Sequence, residues 1–237
     1  MDSINRVFGC LEALDAAERP LSMGELQTEV GCPLSSLAAT LSALVRLGYL
    51  HHDRSRRTYA PTVLLADLGG WVASRFAPGK NIIEAAQTVR AATGENVAIA
   101  HRNDLRLQYL YFLPGKDMEP AVRIGTTRLL CRSALGWALL FFLNNKTIES
   151  IVRRTNTTLP SEDRVDLVPL MAVIERCRTS GFVQAENMQR AGYGVIAMPL
   201  KVKNNNLGMS VSGPAERISR KQEDIVAEMN RAILKLQ

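Results

Sequence analysis

The stretch from Ser22 to Pro61 constrains the fold more than any other part of this sequence, because its caps, apolar spacing and turn residues agree. It opens with Ser22-Met23-Gly24-Glu25, the spacing of a capping box, in which the serine covers a free backbone donor and the glutamate reaches back. A helix is therefore predicted to begin at Met23. It should end at Gly31, since Pro33 shortly afterwards cannot continue it.

A second helix is predicted from about Ser35 to Leu47. Leucines at positions 37, 41 and 44 recur at the spacing of three to four residues that faces a core. A helix whose other face carries small side chains can press closely against a surface such as the major groove of DNA. Here that outward face consists of Ser35, Ala39, Ser42 and Arg46.

A basic hairpin follows this second helix, which Gly48 ends. Residues 49–52 and 58–61 have the composition of two short strands, and the turn between them, Asp53-Arg54-Ser55-Arg56-Arg57, carries three arginines and one acid. Two helices followed by a basic hairpin form a winged helix-turn-helix, which favours DNA binding. A small helical core with a solvated charged turn is the simpler alternative, and the hairpin argues against it.

The net charge of +6 is unevenly distributed along the chain. Residues 1–76 carry seven Lys and Arg against eight Asp and Glu, whereas residues 77–237 carry 22 against 15. The DNA-binding candidate is thus not basic overall, and phosphate contacts would depend on a local group. The surplus in the second part indicates a solvated surface or, alternatively, an anionic ligand. The local group is Arg46, Arg54, Arg56 and Arg57, against Asp53 alone.

Length and composition exclude several classes of protein. The 237 residues, 46% of them hydrophobic, can build one large domain or two ordinary ones. The longest apolar run, residues 134–143, is too short to cross a bilayer, and no signal segment opens the chain, so we expect a cytoplasmic protein with no membrane partner. Four cysteines without CxxC spacing and three histidines indicate no metal site and no cofactor.

Helices are also predicted on both sides of the hairpin domain. After it, Thr62 can cap a helix from Val63 to about Phe76, with a boundary at residues 77–80. The apolar surface of this linker helix is too large for an isolated connector, so we expect a second subunit to cover it in part through Leu64, Leu68, Trp71 and Val72. Before it, one helical face should pack on the leucines, through Ile4, Val7, Phe8, Leu11 and Leu14.

The pattern changes from residue 81, where Asn81 and Glu84 fit a capped helix that Gly94 ends. A final helix should be capped by Ser219 with Gln222. Between them the order of elements predicts an α+β domain with a mostly antiparallel sheet. Strands are predicted at 96–102, 106–114, 121–124, 182–186, 195–202 and 207–212, and helices at 134–143, near 147–154 and at 165–180.

Motifs in three places, in this order along the chain, carry a family resemblance. They are Cys32-Pro33-Leu34-Ser35-Ser36-Leu37 leading to Leu47-Gly48-Tyr49-Leu50, then Arg132-Ser133-Ala134-Leu135-Gly136, and last Ile196-Ala197-Met198-Pro199 with Ser210-Val211-Ser212-Gly213-Pro214. With them the chain resembles the IclR family of bacterial transcriptional regulators over nearly its full length. The resemblance implies a winged helix-turn-helix at 1–61 for double-stranded operator DNA, a linker helix and boundary at 62–80 that pairs subunits into a dimer or a dimer of dimers, and a GAF-like effector-binding domain at 81–237.

The second helix departs from the family pattern, which often has basic or polar residues where this chain has Leu34, Ala38 and Ala39. Hydrogen-bonded base readout is therefore sparse, although an alanine can touch a thymine methyl group. A ligand-sensing protein with weak or lost DNA binding is the alternative that this departure keeps open. The expected DNA-binding residues are Ser35, Ser36, Ala39, Thr40, Ser42, Arg46, Arg54, Arg56 and Arg57.

The resemblance also implies an effector cavity in the second domain. Ser210 and Ser212 share one face of their strand, and their hydroxyls would meet either a carboxylate or neighbouring backbone groups. Ala185 and Val195 stand where the family commonly has polar residues, so we expect a small organic acid with an apolar or aromatic body. The expected effector-binding residues are Gly125, Thr126, Ser133, Ala134, Ala185, Val195, Ser210 and Ser212.

An enzyme is the main alternative from another class. Neither Cys131 nor Cys177 stands in a recognisable nucleophile motif. The glycine-bearing loop Gly192-Tyr193-Gly194 precedes a strand, whereas a dinucleotide fingerprint opens a helix after one. We therefore expect no catalytic residues and no enzymatic activity.

Overall fold

The structure is a computed structural model that describes residues 2–68, 79–116, 118, 122–188 and 190–236. The chain divides into two compact units, Met1–Phe76 and Ala77–Gln237. Among the described residues no single helix is long and apolar enough to cross a bilayer, and only the helices Met23–Val30 and Leu34–Arg46, taken as one bent pair, meet that criterion. The predicted helix 63–76 is seen as helical residues 63–68 (α4), and the rest of that prediction lies outside the described residues.

The first unit is a three-helix core with a small sheet, whose strands lie in the order β1-β3-β2. The capping box is present at the start of α2, and Gly31 ends that helix with a left-handed φ of 66°, a conformation that glycine adopts at little cost. β1 was not predicted, because a strand of two residues has no periodicity to detect. The elements are α1 (Ser3–Ala17), β1 (Leu21–Ser22), α2 (Met23–Val30), α3 (Leu34–Arg46), β2 (Leu50–Asp53) and β3 (Thr58–Pro61).

The buried face of α1 differs from the predicted one. Cys10 and Leu14 are fully buried in the core with Leu37, Leu41 and Leu44. By contrast, Ile4 and Phe8 are 67% and 58% exposed. Successive helical residues are about 100° apart around the axis, which places Phe8 more than about 100° from the line between Cys10 and Leu14. The prediction that Ile4 and Phe8 face the leucines was therefore wrong.

The second unit is built on a six-stranded antiparallel sheet in the order β6-β5-β4-β9-β8-β7. Both faces of the sheet are covered: one core contains α6, α7 and α8, and the other contains α5, α9 and α10. The strands are β4 (Asn96–Asn103), β5 (Arg106–Leu113), β6 (Thr127–Leu129), β7 (Val183–Glu186), β8 (Tyr193–Val202) and β9 (Asn205–Pro214). The helices are α5 (Lys80–Thr93), α6 (Ala134–Leu140), α7 (Asn145–Asn156), α8 (Leu167–Ser180), α9 (Ala215–Arg220) and α10 (Gln222–Leu234).

The third strand of the meander lies later than predicted. Residues 122–126 form a loop, and residue 121 lies outside the described part. The strand is instead β6, which pairs with β5 over residues 106–108. Gly125 turns the chain with a φ of 86°, and its N–H donates to the carbonyl of Tyr109 at 2.8 Å. The apolar residues around 122 were mistaken for the strand because edge pairing of three residues leaves little pattern in a sequence.

Two predicted helix starts in this unit were also wrong. Gly79, and not Asn81, is the N-cap of α5, and no side chain caps it. Ser219 lies inside α9, where its hydroxyl donates to Glu186 at 2.6 Å. Lys221 is the N-cap of α10, so the final helix begins at Gln222, after a separate short helix, α9, that the sequence did not predict. Ser219 hydrogen-bonds to a residue on a strand. Residue spacing within one helix cannot predict such a partner.

Candidate DNA-binding face and effector cavity

The outer face of α3 presents the small residues that the sequence predicted. Ser35, Ala39, Ser42 and Arg46 are exposed, while the leucine stripe on the opposite face is buried. Ser36 is half-buried at the edge of this face. The described surface of α3 therefore carries small side chains, with hydroxyls at its start (Ser35) and middle (Ser42) and a cation at its last residue, Arg46.

Thr40 does not lie on this face, although the sequence analysis placed it among the DNA-binding candidates. It is 8% exposed. Its hydroxyl donates to the carbonyl of Ser36 at 3.0 Å and accepts from Nε of Arg6 at 3.2 Å. The residue thus ties α3 to α1, and its oxygen is occupied within the protein.

The turn between β2 and β3 is ordered by Asp53. One oxygen of its carboxylate accepts from Ser55 Oγ at 2.6 Å, from Ser55 N at 2.9 Å and from Arg56 N at 3.1 Å. These hydrogen bonds, that of the Ser55 hydroxyl most of all, hold the pKa of Asp53 below its ordinary value. At the base of the hairpin, His52 stacks on Tyr59 with ring centroids 4.4 Å apart.

The ordered turn directs its arginines to solvent. Arg54, Arg56 and Arg57 are all exposed. Arg56 Nε lies 3.9 Å from the Asp53 carboxylate, but 81% of the Arg56 side chain remains accessible, so the pair is loose. The hairpin therefore presents three guanidinium groups to solvent at its turn, where they are accessible to an anion.

The second unit contains a cavity of about 420 Å³ between the sheet and the start of α6. Predicted residues Ser133, Ala134, Val195, Ser210 and Ser212 line it. The other three predicted residues do not, as described below. This volume lies within the roughly 300–1,000 Å³ range of small-molecule pockets.

Gly125, Thr126 and Ala185 do not line the cavity. Gly125 and Thr126 form the turn that leads into β6, where Thr126 accepts from the N–H of Tyr109 at 3.0 Å. Ala185 pairs with Val195 on the edge strand β7 and packs into the core beside α8. Within the sheet the lining extends to β8 and does not include β7, which carries Ala185, although the connection between these strands contributes Met188 and Arg190.

Serine hydroxyls define one part of the lining. Ser133 is the N-cap of α6, and its oxygen accepts from the N–H of Gly136 at 3.0 Å. Ser210 is 5% exposed. Ser212 pairs directly with Asn96 on β4, so these two side chains are neighbours on the same face of the sheet.

Asn96 is a cavity residue that the sequence analysis missed. It is 3% exposed, and its side-chain oxygen accepts from the N–H of Gly115 at 2.9 Å. This contact fixes the orientation of the amide, because an N–H can donate only to the oxygen. The Asn96 NH₂ group is consequently the end that can donate to a ligand.

Arg128 and Tyr109 were missed as well, and they change the electrostatics of the cavity. Arg128 Nε is buried and has no hydrogen-bond partner within the described part of the chain. Burial raises the pKa of the Tyr109 phenol, and the neighbouring Arg128 guanidinium partly offsets that rise. Tyr109 therefore remains a neutral donor near physiological pH. The strand alternation that places Tyr109 on the face of Leu107 was available in the sequence, but the misplaced third strand concealed Arg128.

A second arginine stands at the edge of the cavity. Arg190 is exposed, and its guanidinium carbon lies 4.5 Å from the centre of the Tyr193 ring, which is cation–π geometry. In the described part of the chain the lining contains two arginines and no acidic residue. The rest is mostly apolar, including Ala98, Phe112, Val122, Leu135 and Met188. Such a cavity favours an anion with an apolar body.

The cysteines are not activated. Burial raises the pKa of Cys131 and Cys177 to about 11, so both thiols stay protonated at neutral pH and are poor nucleophiles. Among the described residues no group of His, Cys, Asp and Glu side chains is arranged to hold a metal ion.

Both units match models of known protein families. The family model of the IclR helix-turn-helix domain matches residues 3–54. The family model described as bacterial transcriptional regulator IclR C-terminal matches residues 80–235. A search of curated proteins gives no match.

Solved structures of similar architecture come from several bacteria. The effector domain of an IclR regulator from Acinetobacter sp. ADP1 is 28% identical, with a TM-score of 0.60 over 71% of this chain and 97% of its own. The IclR protein of Thermotoga maritima is 19% identical, with a TM-score of 0.73 over 99% of this chain and 98% of its own. An IclR homologue from Microbacterium hydrocarbonoxydans, solved with 4-hydroxybenzoate, is 15% identical, with a TM-score of 0.67 over 99% of this chain and 100% of its own.

The two family models together cover most of the chain, one on each compact unit. The α3 face and the wing lie in the unit with the helix-turn-helix match, and the cavity lies in the unit with the C-terminal match. The chain belongs to the IclR family of bacterial transcriptional regulators, with an N-terminal helix-turn-helix DNA-binding domain and a C-terminal effector domain.

Proposed function

We propose that this protein is a ligand-responsive regulator that binds operator DNA. Its affinity for that DNA falls or rises when a small organic acid enters the cavity. The observation that carries the proposal is the cavity itself, where Arg128 Nε is buried without a partner in the described chain. A buried guanidinium nitrogen that lacks a partner is costly, and a carboxylate would satisfy it with a charge-assisted hydrogen bond. Its site of action would be the cytoplasm, where the operator is.

DNA contact is assigned to α3 and the wing. In this proposal Ser35 and Ser42 hydrogen-bond to the DNA, and Ala39 packs on a thymine methyl group. Phosphate contacts come from the cations, which are Arg46, Arg54, Arg56 and Arg57. The proposed division remains 1–61 for DNA binding, 62–80 for the linker and 81–237 for the effector domain.

The active form is proposed to be a dimer or a dimer of dimers. A groove of about 720 Å³ runs between α1, α3 and α4 in the first unit. Phe8, Leu47 and Leu68 line it and are 58%, 59% and 54% exposed. A patch of this kind favours association with a second copy. Leu64 is also part of the proposal, whereas Trp71 and Val72 lie outside the described residues.

Light scattering tests the oligomer directly. The wild-type protein should be at least dimeric at micromolar concentration, and Phe8→Glu with Leu68→Glu should shift it toward the monomer. Glu substitutions at Asn5 and Ala16, which are exposed on the same helix but do not line the groove, control for added charge. A monomeric wild-type protein contradicts the proposal.

Loss of DNA binding is the competing function, and the sparse chemistry of α3 favours it. Apart from Arg46, the exposed outer face offers only two hydroxyls. A gel shift separates the two functions, using the DNA upstream of the protein's own gene against an unrelated fragment of equal length. Preferential retardation of the upstream fragment supports operator binding, and no retardation of either fragment favours the ligand-sensing alternative.

A further inference from the structure

The polar groups of the cavity lie toward two ends of the sheet. Arg128 on β6 is paired with Leu107 on β5, which in turn is paired with Arg102 near the end of β4. Asn96 is the first residue of β4, and its neighbour Ser212 lies on β9. Arg102, the register position of Arg128, lies six residues along β4 from Asn96, so the two polar groups enter the cavity from different ends of the strands.

Apolar side chains line the cavity between these two ends. Ala98 pairs with Phe112 on one side and with Ser210 on the other. Leu135 closes the cavity from α6. A ligand that spans the cavity thus meets a cation first, an apolar middle next, and an amide with a hydroxyl last.

At the charged end, Nε of Arg128 has no hydrogen-bond partner within the described chain. Tyr109 on β5 lies beside the Arg128 guanidinium and also lines the cavity. A phenol can donate one hydrogen bond to the same anion that the guanidinium binds. The remote end has the opposite character, because an asparagine NH₂ and a serine hydroxyl are neutral donors suited to a hydroxyl or oxo group.

We propose that the effector is a two-ended acid, whose carboxylate binds Arg128 and Tyr109 and whose hydroxyl or oxo group, across an apolar body, binds Asn96 and Ser212. This inference rests on the proposed function. It reverses the expectation that Ser210 and Ser212 hold the carboxylate. It also excludes the smallest oxo acids as strong ligands, because they cannot reach both ends at once.

Calorimetric titration of the full-length protein tests the inference with a matched set of probes. Benzoate carries only the acidic end, and 4-hydroxybenzamide lacks the charge. In 2-hydroxybenzoate the two groups are adjacent, while 4-hydroxybenzoate and 4-hydroxycinnamate place them at opposite ends. The last two acids should bind most tightly, with 2-hydroxybenzoate at least about tenfold weaker.

Substitutions at each end give separate signatures. Arg128→Gln should weaken the 4-hydroxy acids by about 10–100-fold and leave 4-hydroxybenzamide unchanged, since one charge-assisted contact is lost. Arg128→Lys should lie between wild type and Gln. Ser212→Ala should weaken the 4-hydroxy acids by about 3–10-fold without affecting benzoate. Arg220→Gln, at an exposed arginine outside the cavity lining, is the matched control and should change affinity less than about threefold.

Failure of the inference and failure of the proposed function are distinguishable. Equal binding of the 4-hydroxy acids to wild type and to Arg128→Gln overturns the inference, and so does tighter binding of 2-hydroxybenzoate than of 4-hydroxybenzoate. If no acid in the set binds the wild-type protein at millimolar concentration, the organic-acid function falls together with the inference. Circular dichroism of each variant establishes that the fold is retained.

Discussion

Ser22 and Glu25 hydrogen-bond to each other in both directions at the start of α2. The Glu25 N–H donates to Ser22 Oγ at 3.3 Å, and the Ser22 N–H and hydroxyl donate to Glu25 Oε2 at 2.8 and 2.7 Å. Arg19 donates to the other carboxylate oxygen at 2.8 Å. These contacts, the Ser22 backbone N–H above all, lower the pKa of Glu25 from 4.5 to about 2.

Ser22→Ala should loosen α2 in a pH-dependent way. Loss of an N-cap serine costs about 1 kcal/mol, which hydrogen exchange of the α2 amides would show as faster opening. Because the folded pKa of Glu25 is depressed, its contribution is complete above pH 4.5 and is lost as pH falls toward about 2. The difference between variant and wild type should therefore shrink over that range.

Thr28→Ala is the control for the capping box. Its hydroxyl donates to the carbonyl of Gly24 within the same helix and involves no titrating group. Its effect on exchange should not vary with pH. If the difference in exchange between Ser22→Ala and wild type is also independent of pH, ionised Glu25 does not contribute to the capping effect.

Replacing the three wing arginines, Arg54, Arg56 and Arg57, with alanine should weaken binding to every DNA sequence. Each lost phosphate contact reduces the log–log salt dependence by about 0.9, so the slope should fall by up to about 2.7. Sequence preference should survive, because the proposal assigns base contacts to α3 and only phosphate contacts to the wing. Fluorescence anisotropy over a salt series measures both, and the triple lysine variant should keep most of the slope. An unchanged slope in the alanine variant excludes the wing from phosphate binding.

Gly136→Ala should destabilise the effector domain. A Cβ at this position would overlap the carbonyl oxygen of Leu130 and lie 2.7 Å from Ser133 Oγ, so the start of α6 must shift. Overpacking of this kind costs about 1–3 kcal/mol, measurable by urea denaturation. Trp137 fluorescence reports on the site, since its indole N–H donates to the Cys131 carbonyl at 2.8 Å.

The control for Gly136 is Gly79→Ala in the same unit. A Cβ there meets nothing within 4 Å, and as an N-cap change it should cost less than about 1 kcal/mol. Equal destabilisation by the two substitutions would show that the close contact at Gly136 is not what matters.

Local signals in the sequence predicted the fold well where structure is local. The capping box fixed the start of α2, and two-residue alternation correctly put Ser210 and Ser212 on the face that lines the cavity. Prediction failed where a distant partner decides. Ser219 left its predicted cap because β7 supplies Glu186. Thr40 is a different case, since it lies three residues after Leu37 and four before Leu44, and helical spacing alone places it on the buried side of α3.

The chemistry of the cavity was the least predictable part. Arg128 lines it only because β6 pairs with the outer edge of β5, a pairing of three residues with almost no sequence pattern. Asn96 is recognisable as a donor only once Gly115 is seen to occupy its oxygen. Both residues are ordinary polar positions in the sequence, and strand order alone brings them to one cavity.

The central claim is that an acid held in the effector domain changes the affinity of the helix-turn-helix domain for DNA. Fluorescence anisotropy with the promoter-proximal fragment, with and without saturating 4-hydroxybenzoate or 4-hydroxycinnamate, measures it most directly. Coupling of this kind typically changes the DNA Kd by about 5–150-fold, and we predict a change in this range for wild type and little change for Arg128→Gln. An unchanged Kd in the presence of an acid that calorimetry shows to be bound would contradict the account.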